Sequence, residues 1–211
     1  MKFFLAAALC LAGSTSVWAQ ADDAILGDES VDKTQIIEEV RAGVTFHDLG
    51  WTTINAAGDE EKSVAFNAEI IFAEPKFLKW ALSPQPYIGG TLNVEGETSY
   101  GGAGLLWRQN LGYKFYGDFA FGVVVHDGVL DFGDALATAR ERGSSNSFRY
   151  AINKNWYGSR VLFRQQLTLG INLSEDWAAE GFVEHISHGR LLSNGPNEGS
   201  DAAGFRINRK F

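Results

Sequence analysis

Near the C-terminal end of the 211-residue sequence, His185 and Ser187 stand two residues apart, and Asp201 follows after a turn-rich stretch that contains Pro196-Asn197-Glu198-Gly199. These are the residue types of nucleophilic acyl transfer. A serine hydroxyl is a weak nucleophile until a base takes its proton. Histidine titrates near neutrality, so it can take that proton and later return it, while a carboxylate fixes the imidazole tautomer and supports the imidazolium. Asn197 adds an amide N–H that could donate to a developing oxyanion, an effect typically contributing ~3–4 kcal/mol. Taken alone, a His-x-Ser pair is a weak signal, and Pro-Asn-Glu-Gly would also serve as a plain turn. A metal site built from Glu184, His185, His188 and Glu198 is disfavoured, because His185 and His188 point to opposite faces if both lie on a strand. The scheme calls for no metal and no cofactor.

A site of this kind needs elements that bring residues 185, 187 and 201 together, and the chain supplies them as period-two alternation, the strand period. From Ile36 onward one row is apolar and the other polar. Val40, Ala42, Val44 and Phe46 oppose Glu39, Arg41, Thr45 and His47; Val64, Phe66, Ala68, Ile70 and Phe72 oppose Asn67 and Glu69. The same pattern recurs near 86–94, 100–109, 113–126, 160–172, 177–187 and 203–211. That gives eight strands, most of them ~9–11 residues long, the length at which a tilted strand crosses a bilayer. The polar rows mix both signs at mid-strand (Arg41, Glu69, Lys114, Asp118, Arg164, Glu180, Arg206), as a paired network inside a narrow barrel would.

Connection lengths separate a membrane barrel from a soluble sandwich. Those at 110–112 and 174–176 are short, and those at 47–62, 127–159 and 188–202 are long, the asymmetry of an outer-membrane barrel with short periplasmic turns. The connection at 74–85 is the exception, and Lys76, Lys79 and Trp80 make it a candidate interfacial helix. Trp51, Trp107, Trp156 and Trp177 are candidates for interfacial girdles. A terminal Phe211, in one row with Phe205 and Ile207, looks like the signal read by outer-membrane assembly machinery.

The N-terminus fits export. Lys2, the apolar run 3–11 and the small residues up to Ala19 form a signal-peptide pattern with cleavage expected after Ala19. The lone cysteine, Cys10, lies inside it, so the mature chain would have no disulfide. Residues 20–35 are acidic, without an apolar period, and read as a flexible periplasmic arm; residues 36–211 then form the barrel. A net charge of −8 argues against nucleic acid as a partner. The expected fold is all-β, an eight-stranded antiparallel transmembrane β-barrel of the outer-membrane type.

Parity then locates the chemistry. His185 and Ser187 continue the lipid-facing row of Trp177, Ala179, Gly181 and Val183, and Asp201 shares the outer parity of Phe205 and Ile207 if the eighth strand starts that early. All three groups can meet on one outer patch, where a lipid would be the substrate.

His185-Ile186-Ser187, Gly189 and Pro196-Asn197-Glu198-Gly199-Ser200-Asp201 resemble the signature of the outer-membrane lipid A 3-O-deacylases, the PagL family. The family pattern is His-x-Ser-Asn, a short loop, Pro-Asn-Asp-Gly, and a Glu two residues on. The resemblance implies an eight-stranded barrel acting on lipopolysaccharide in the outer membrane, with Ser187 as nucleophile, His185 as base, Asp201 in the acid role and Asn197 in the oxyanion hole. Two positions depart from it: His188 replaces Asn, and Asp201 is one methylene shorter than Glu. On this reading Arg140, Arg142, Arg149 and Arg190 are candidate contacts for the phosphates of lipid A, with a solvated loop as the plainer alternative. Residues 135–140 form a candidate short helix within that loop. A structural or adhesive barrel, an outer-membrane phospholipase or acyltransferase, and pairing as a homodimer stay open from sequence.

Overall fold

The computed structural model describes residues 36–47, 49 and 63–211. The expected signal peptide, the arm, most of the first long connection and Trp51 lie outside them.

The described residues form eight strands: β1 (Ile37–His47), β2 (Val64–Phe72), β3 (Gln85–Asn93), β4 (Tyr100–Gly112), β5 (Phe115–His126), β6 (Val161–Asn172), β7 (Trp177–Ser187) and β8 (Ser200–Lys210). Each pairs antiparallel with the next, and β8 closes on β1 through Ala42↔Ile207 and Val44↔Phe205. Among the described residues the eight strands close into a barrel, which is how a sheet satisfies its backbone hydrogen bonds inside a bilayer. No helix among the described residues is long and apolar enough to cross a membrane.

Alternation sorts the side chains into two environments. The apolar rows, including Phe66, Phe119, Val125, Leu167 and Phe205, stand on the outer surface, and the polar rows are buried inside. Arg41 is 0% exposed and donates to Glu39 Oε2 at 2.9 Å and Asp118 Oδ2 at 2.8 Å. Arg164 joins Glu69 Oε1 (2.6 Å) to Glu184 Oε2 (2.8 Å). Arg206 joins Glu180 Oε2 (2.5 Å) to Glu69 Oε2 (2.8 Å). Tyr116 caps Glu180 at 2.5 Å, and Tyr100 caps Glu184. A narrow barrel is filled by its own side chains, and here that filling is an ion-pair network. The expected pairing holds, except that Lys114 is exposed in a turn.

One end carries the tight turns. Between β4 and β5 the reversal falls at Tyr113, which has φ 49° and is exposed, so it belongs to the turn rather than to the fifth strand. The β2–β3 connection forms a 3-10 helix (Lys76–Ala81) without buried residues, exposing Phe77 and Trp80. Trp107, on the outer face of β4, donates from its indole nitrogen to the Ala81 carbonyl at 2.8 Å. With Trp177 partly exposed at the start of β7, this end has an aromatic border of the kind found at membrane interfaces.

The opposite end carries the long connections. Between β5 and β6, α1 (Phe132–Glu141) and α2 (Ser147–Ile152) pack around Val129, Ala135 and Ala151. Asp131 caps α1 by accepting from the Asp134 N–H, and α1 includes the expected 135–140 segment. Trp156 joins this small core and donates to the Ala151 carbonyl at 3.0 Å, so it serves the lobe and not a girdle.

Candidate active site

The site stands at the looped end of β7 and β8. On β7 the outer row runs Trp177, Ala179, Gly181, Val183, His185, Ser187, as parity requires. The β7–β8 ladder pairs His185 directly with Asp201 and Ile186 with Ser200. β8 therefore begins at Ser200, three residues before the side-chain alternation becomes visible, and carries Asp201 into the sheet. Directly opposed residues lie close enough for their side chains to interact. His185 Nδ1 lies 2.8 Å from Asp201 Oδ1, and His185 Nε2 lies 2.9 Å from Ser187 Oγ.

The carboxylate fixes the tautomer of the neutral ring. A carboxylate oxygen can only accept, so Nδ1 carries the hydrogen and Nε2 presents its lone pair to the serine hydroxyl. That is the tautomer a general base needs. Asp201 is 2% exposed, Ser187 8%, and the His185 side chain 26%. The acid is withdrawn from solvent, and the histidine retains an open edge toward the barrel's outer surface.

The β7–β8 connection is built closely against this row. Gly199 has φ +69°, and a Cβ there would lie 2.8 Å from the Ile186 carbonyl oxygen and 3.2 Å from both His185 Cε1 and Ser187 Cβ. Only glycine combines that backbone with that approach. Asn197 accepts the His188 N–H on Oδ1 at 2.9 Å, which turns its Nδ2 donor away from the bond. The His188 ring is buried and bridges the loop, with Nε2 2.8 Å from the Pro196 carbonyl and Nδ1 accepting the Arg190 N–H at 3.2 Å. From the other side, the Trp156 N–H donates to Glu198 Oε2 at 2.5 Å, and the Glu198 N–H returns to the Trp156 carbonyl at 3.3 Å. Gly158 packs against Pro196 so tightly that a Cβ would sit 1.9 Å from its carbonyl oxygen.

Two further features border the row. On β6, Gln165 pairs with His185 and Phe163 with Ser187, making Gln165 an exposed polar side chain in an otherwise apolar outer row. Farther along the same face, a groove of about 420 Å³ is floored by Ala42, Ala179 and Gly181 and flanked by Phe115, Leu169 and Phe205. Its Gly181 lies four residues from His185 on β7, ~13 Å at the rise of a strand. Small residues between large ones make the depression, which runs across β1, β8, β7 and β6.

Of the candidate residues, the fold brings His185, Ser187 and Asp201 into one hydrogen-bonded row, with Asn197 held in the adjoining loop. Arg190 is exposed three residues beyond Ser187. Arg142 donates to the Gly96 carbonyl at 2.6 Å, and Arg140 and Arg149 stand exposed on the α1–α2 lobe, so these three belong to a different loop from the serine. The close approach of Gly199 to the row, the place of Gln165 and the bridging function of His188 are not visible in the motif itself. For Gln165 the signal was present, as a polar residue at an apolar parity.

The fold and the row together define a class: an outer-membrane β-barrel carrying a Ser-His-Asp arrangement on its lipid-facing wall. A family model described as "Lipid A 3-O-deacylase (PagL)" matches residues 63–210, and the chain belongs to that family. Among solved structures, the "outer membrane enzyme PagL" superposes with a TM-score of 0.51 at 10% identity, covering 82% of this chain and 99% of that one. Neisserial surface protein A gives 0.47 at 8% identity over 82% and 96%. At 10% identity the first of these superpositions speaks to the fold alone, and the family membership rests on the sequence match. No curated protein matches the chain.

Proposed function

We propose that the protein is a serine esterase that hydrolyses an ester-linked 3-hydroxyacyl chain, at the 3-O position, from lipid A in the outer leaflet of the outer membrane. The carrying observation is the Ser187-His185-Asp201 row on the lipid-facing surface, at 2.9 and 2.8 Å. Ser187 Oγ attacks the ester carbonyl while His185 Nε2 takes its proton, and Asp201 supports the resulting imidazolium. Asn197 donates from Nδ2 to the tetrahedral oxyanion. As the tetrahedral intermediate collapses and the bond to the sugar oxygen breaks, the His185 imidazolium protonates that oxygen, leaving an acyl-serine. Water, activated by the same histidine, releases the fatty acid and restores Ser187.

The surroundings fit a lipid. The groove below the row has the dimensions and apolarity for an acyl chain, and exposed Gln165 beside His185 can meet a polar group on it. Arg190 is the cation nearest the serine in sequence and the first candidate for a lipid A phosphate, with Arg140, Arg142 and Arg149 supplying positive charge on the neighbouring lobe. Residues 1–19 as a cleaved signal and the C-terminal Phe211 as an assembly signal complete the reading.

The test is mass spectrometry of lipid A from cells making the wild-type protein or Ser187→Ala, with the purified proteins also offered lipid A and phospholipid together. Loss of one 3-hydroxyacyl chain only with wild-type protein is expected. Identical lipid A spectra in the two strains would sink the esterase reading, and fatty acid released from phospholipid alone would move the substrate to that class.

A further inference from the structure

We propose that His188 is the positioning residue for the oxyanion donor, holding the Asn197 carboxamide in its working orientation. The inference rests on the reading of Asn197 as oxyanion donor. Three contacts of one residue carry it. The His188 backbone N–H occupies Asn197 Oδ1 at 2.9 Å, which fixes the amide plane and leaves Nδ2 as the group available to substrate. The ring binds both limbs of the loop, Arg190 on the outgoing side at 3.2 Å and Pro196 on the returning side at 2.8 Å.

The chemistry of those two partners determines the ring's state. The Arg190 N–H can only donate and the Pro196 carbonyl can only accept, so Nδ1 is an acceptor and Nε2 carries the hydrogen. The ring is 0% exposed, and as a neutral imidazole it satisfies both of its nitrogens there. Pro196 immediately precedes Asn197 and is packed on its far side by Gly158. The amide donor is therefore clamped through its own oxygen and through the preceding carbonyl, both by His188. An oxyanion donor contributes through being oriented before charge develops, and the burial of this histidine is accounted for by that task.

The test is a double-mutant cycle on the full chain refolded in detergent micelles, with kcat and KM determined from fatty acid release on lipid A. Folding is followed by the heat-dependent change in gel mobility of barrels. Removing an oxyanion donor typically costs 10²–10³ in kcat, so Asn197→Ala is expected to fall by roughly that factor. His188→Phe keeps the ring's bulk and removes both ring hydrogen bonds; kcat is expected to fall on the order of 10-fold or more with KM nearly unchanged. In the Asn197→Ala background the same change is expected to cost less than about threefold, because the group it positions is gone. His188→Gln, whose terminal amide can still reach the Pro196 carbonyl, should recover most of the rate. Should His188→Phe fail to assemble, His188→Met takes its place in the cycle with the same expectations. Losses that multiply in full, a loss confined to KM, or an unchanged kcat in the histidine variant would overturn the positioning role and leave the esterase reading standing. An unchanged kcat in Asn197→Ala would remove the oxyanion assignment, and this proposal with it.

Discussion

Gly199→Ala is the perturbation through which the structure can be read most directly, because it inserts one methyl group between the loop and the His185–Ser187 row. Two costs arise. A non-glycine residue at φ +69° carries ~1–2 kcal/mol of backbone strain. The added Cβ also meets the Ile186 carbonyl oxygen at 2.8 Å, where an ordinary contact needs ~3.3 Å. Ile186 is paired on both sides, to Arg164 and to Ser200, so the loop must yield by roughly 0.5 Å. That displacement passes to Ser200 and Asp201, the residues that follow Gly199, and from Asp201 to His185. A 1 Å misplacement can cost about 10²-fold in rate, so half of it predicts ~10-fold lower kcat. Gly143→Ala separates the two costs, since Gly143 has the same φ of +69° with nothing within 4 Å of the added carbon. On denaturant titration in micelles both variants should lose the strain share of stability, Gly199→Ala more because of its added contact, and only Gly199→Ala should lose rate in the fatty acid release assay. Equal kcat in the two variants would refute the argument that loop contact sets the geometry of the row.

Asp201→Asn should lower kcat by up to ~10⁴-fold while the barrel assembles normally, because an amide can hold the wrong imidazole tautomer; a loss below about tenfold in the same assay would remove Asp201 from the acid role. Arg41→Met leaves Glu39 and Asp118 without one of their cations inside the barrel, and the unfolding midpoint in denaturant should report a loss of ~3–5 kcal/mol. Its folded fraction should keep wild-type kcat.

The sequence disclosed the barrel because parity is enforced on every strand by two unlike solvents. A single-residue slip would place Arg41, Glu69 or Arg206 in lipid, so the alternation of 36–47 and 64–72 is unambiguous, and the outer positions of His185 and Ser187 follow from it. Strand ends were less legible. Pairing of β8 back to Ser200 is made by backbone groups that leave no mark on side-chain alternation, and Tyr113 kept the apolar parity of a strand while serving as a turn. His188 was the hardest to read. In sequence it is a departure from a family motif, and only the folded loop brings Pro196 and Arg190 to its two ring nitrogens. Trp156 shows the same limit, since an aromatic in a long connection can face a membrane or fill a small core with equal sequence support.

The arrangement answers a physical difficulty of doing polar chemistry on the outside of a barrel. Hydroxyl, imidazole and carboxylate groups facing lipid are costly unless each is hydrogen-bonded. Here they satisfy one another along the row, and the carboxylate is the most deeply buried of the three. The barrel interior is filled separately, by the ion pairs around Arg41, Arg164 and Arg206, so the outer wall of β7 and β8 can hold polar groups without serving as the core. The withdrawal of Asp201 from water strengthens its hold on the His185 N–H. The open edge of His185 faces the surface along which an acyl chain would approach. On the proposed esterase reading, cover over the acid and exposure of the base are one requirement: an ester delivered from the membrane would have to reach Ser187 and His185 while the carboxylate behind them stays dry.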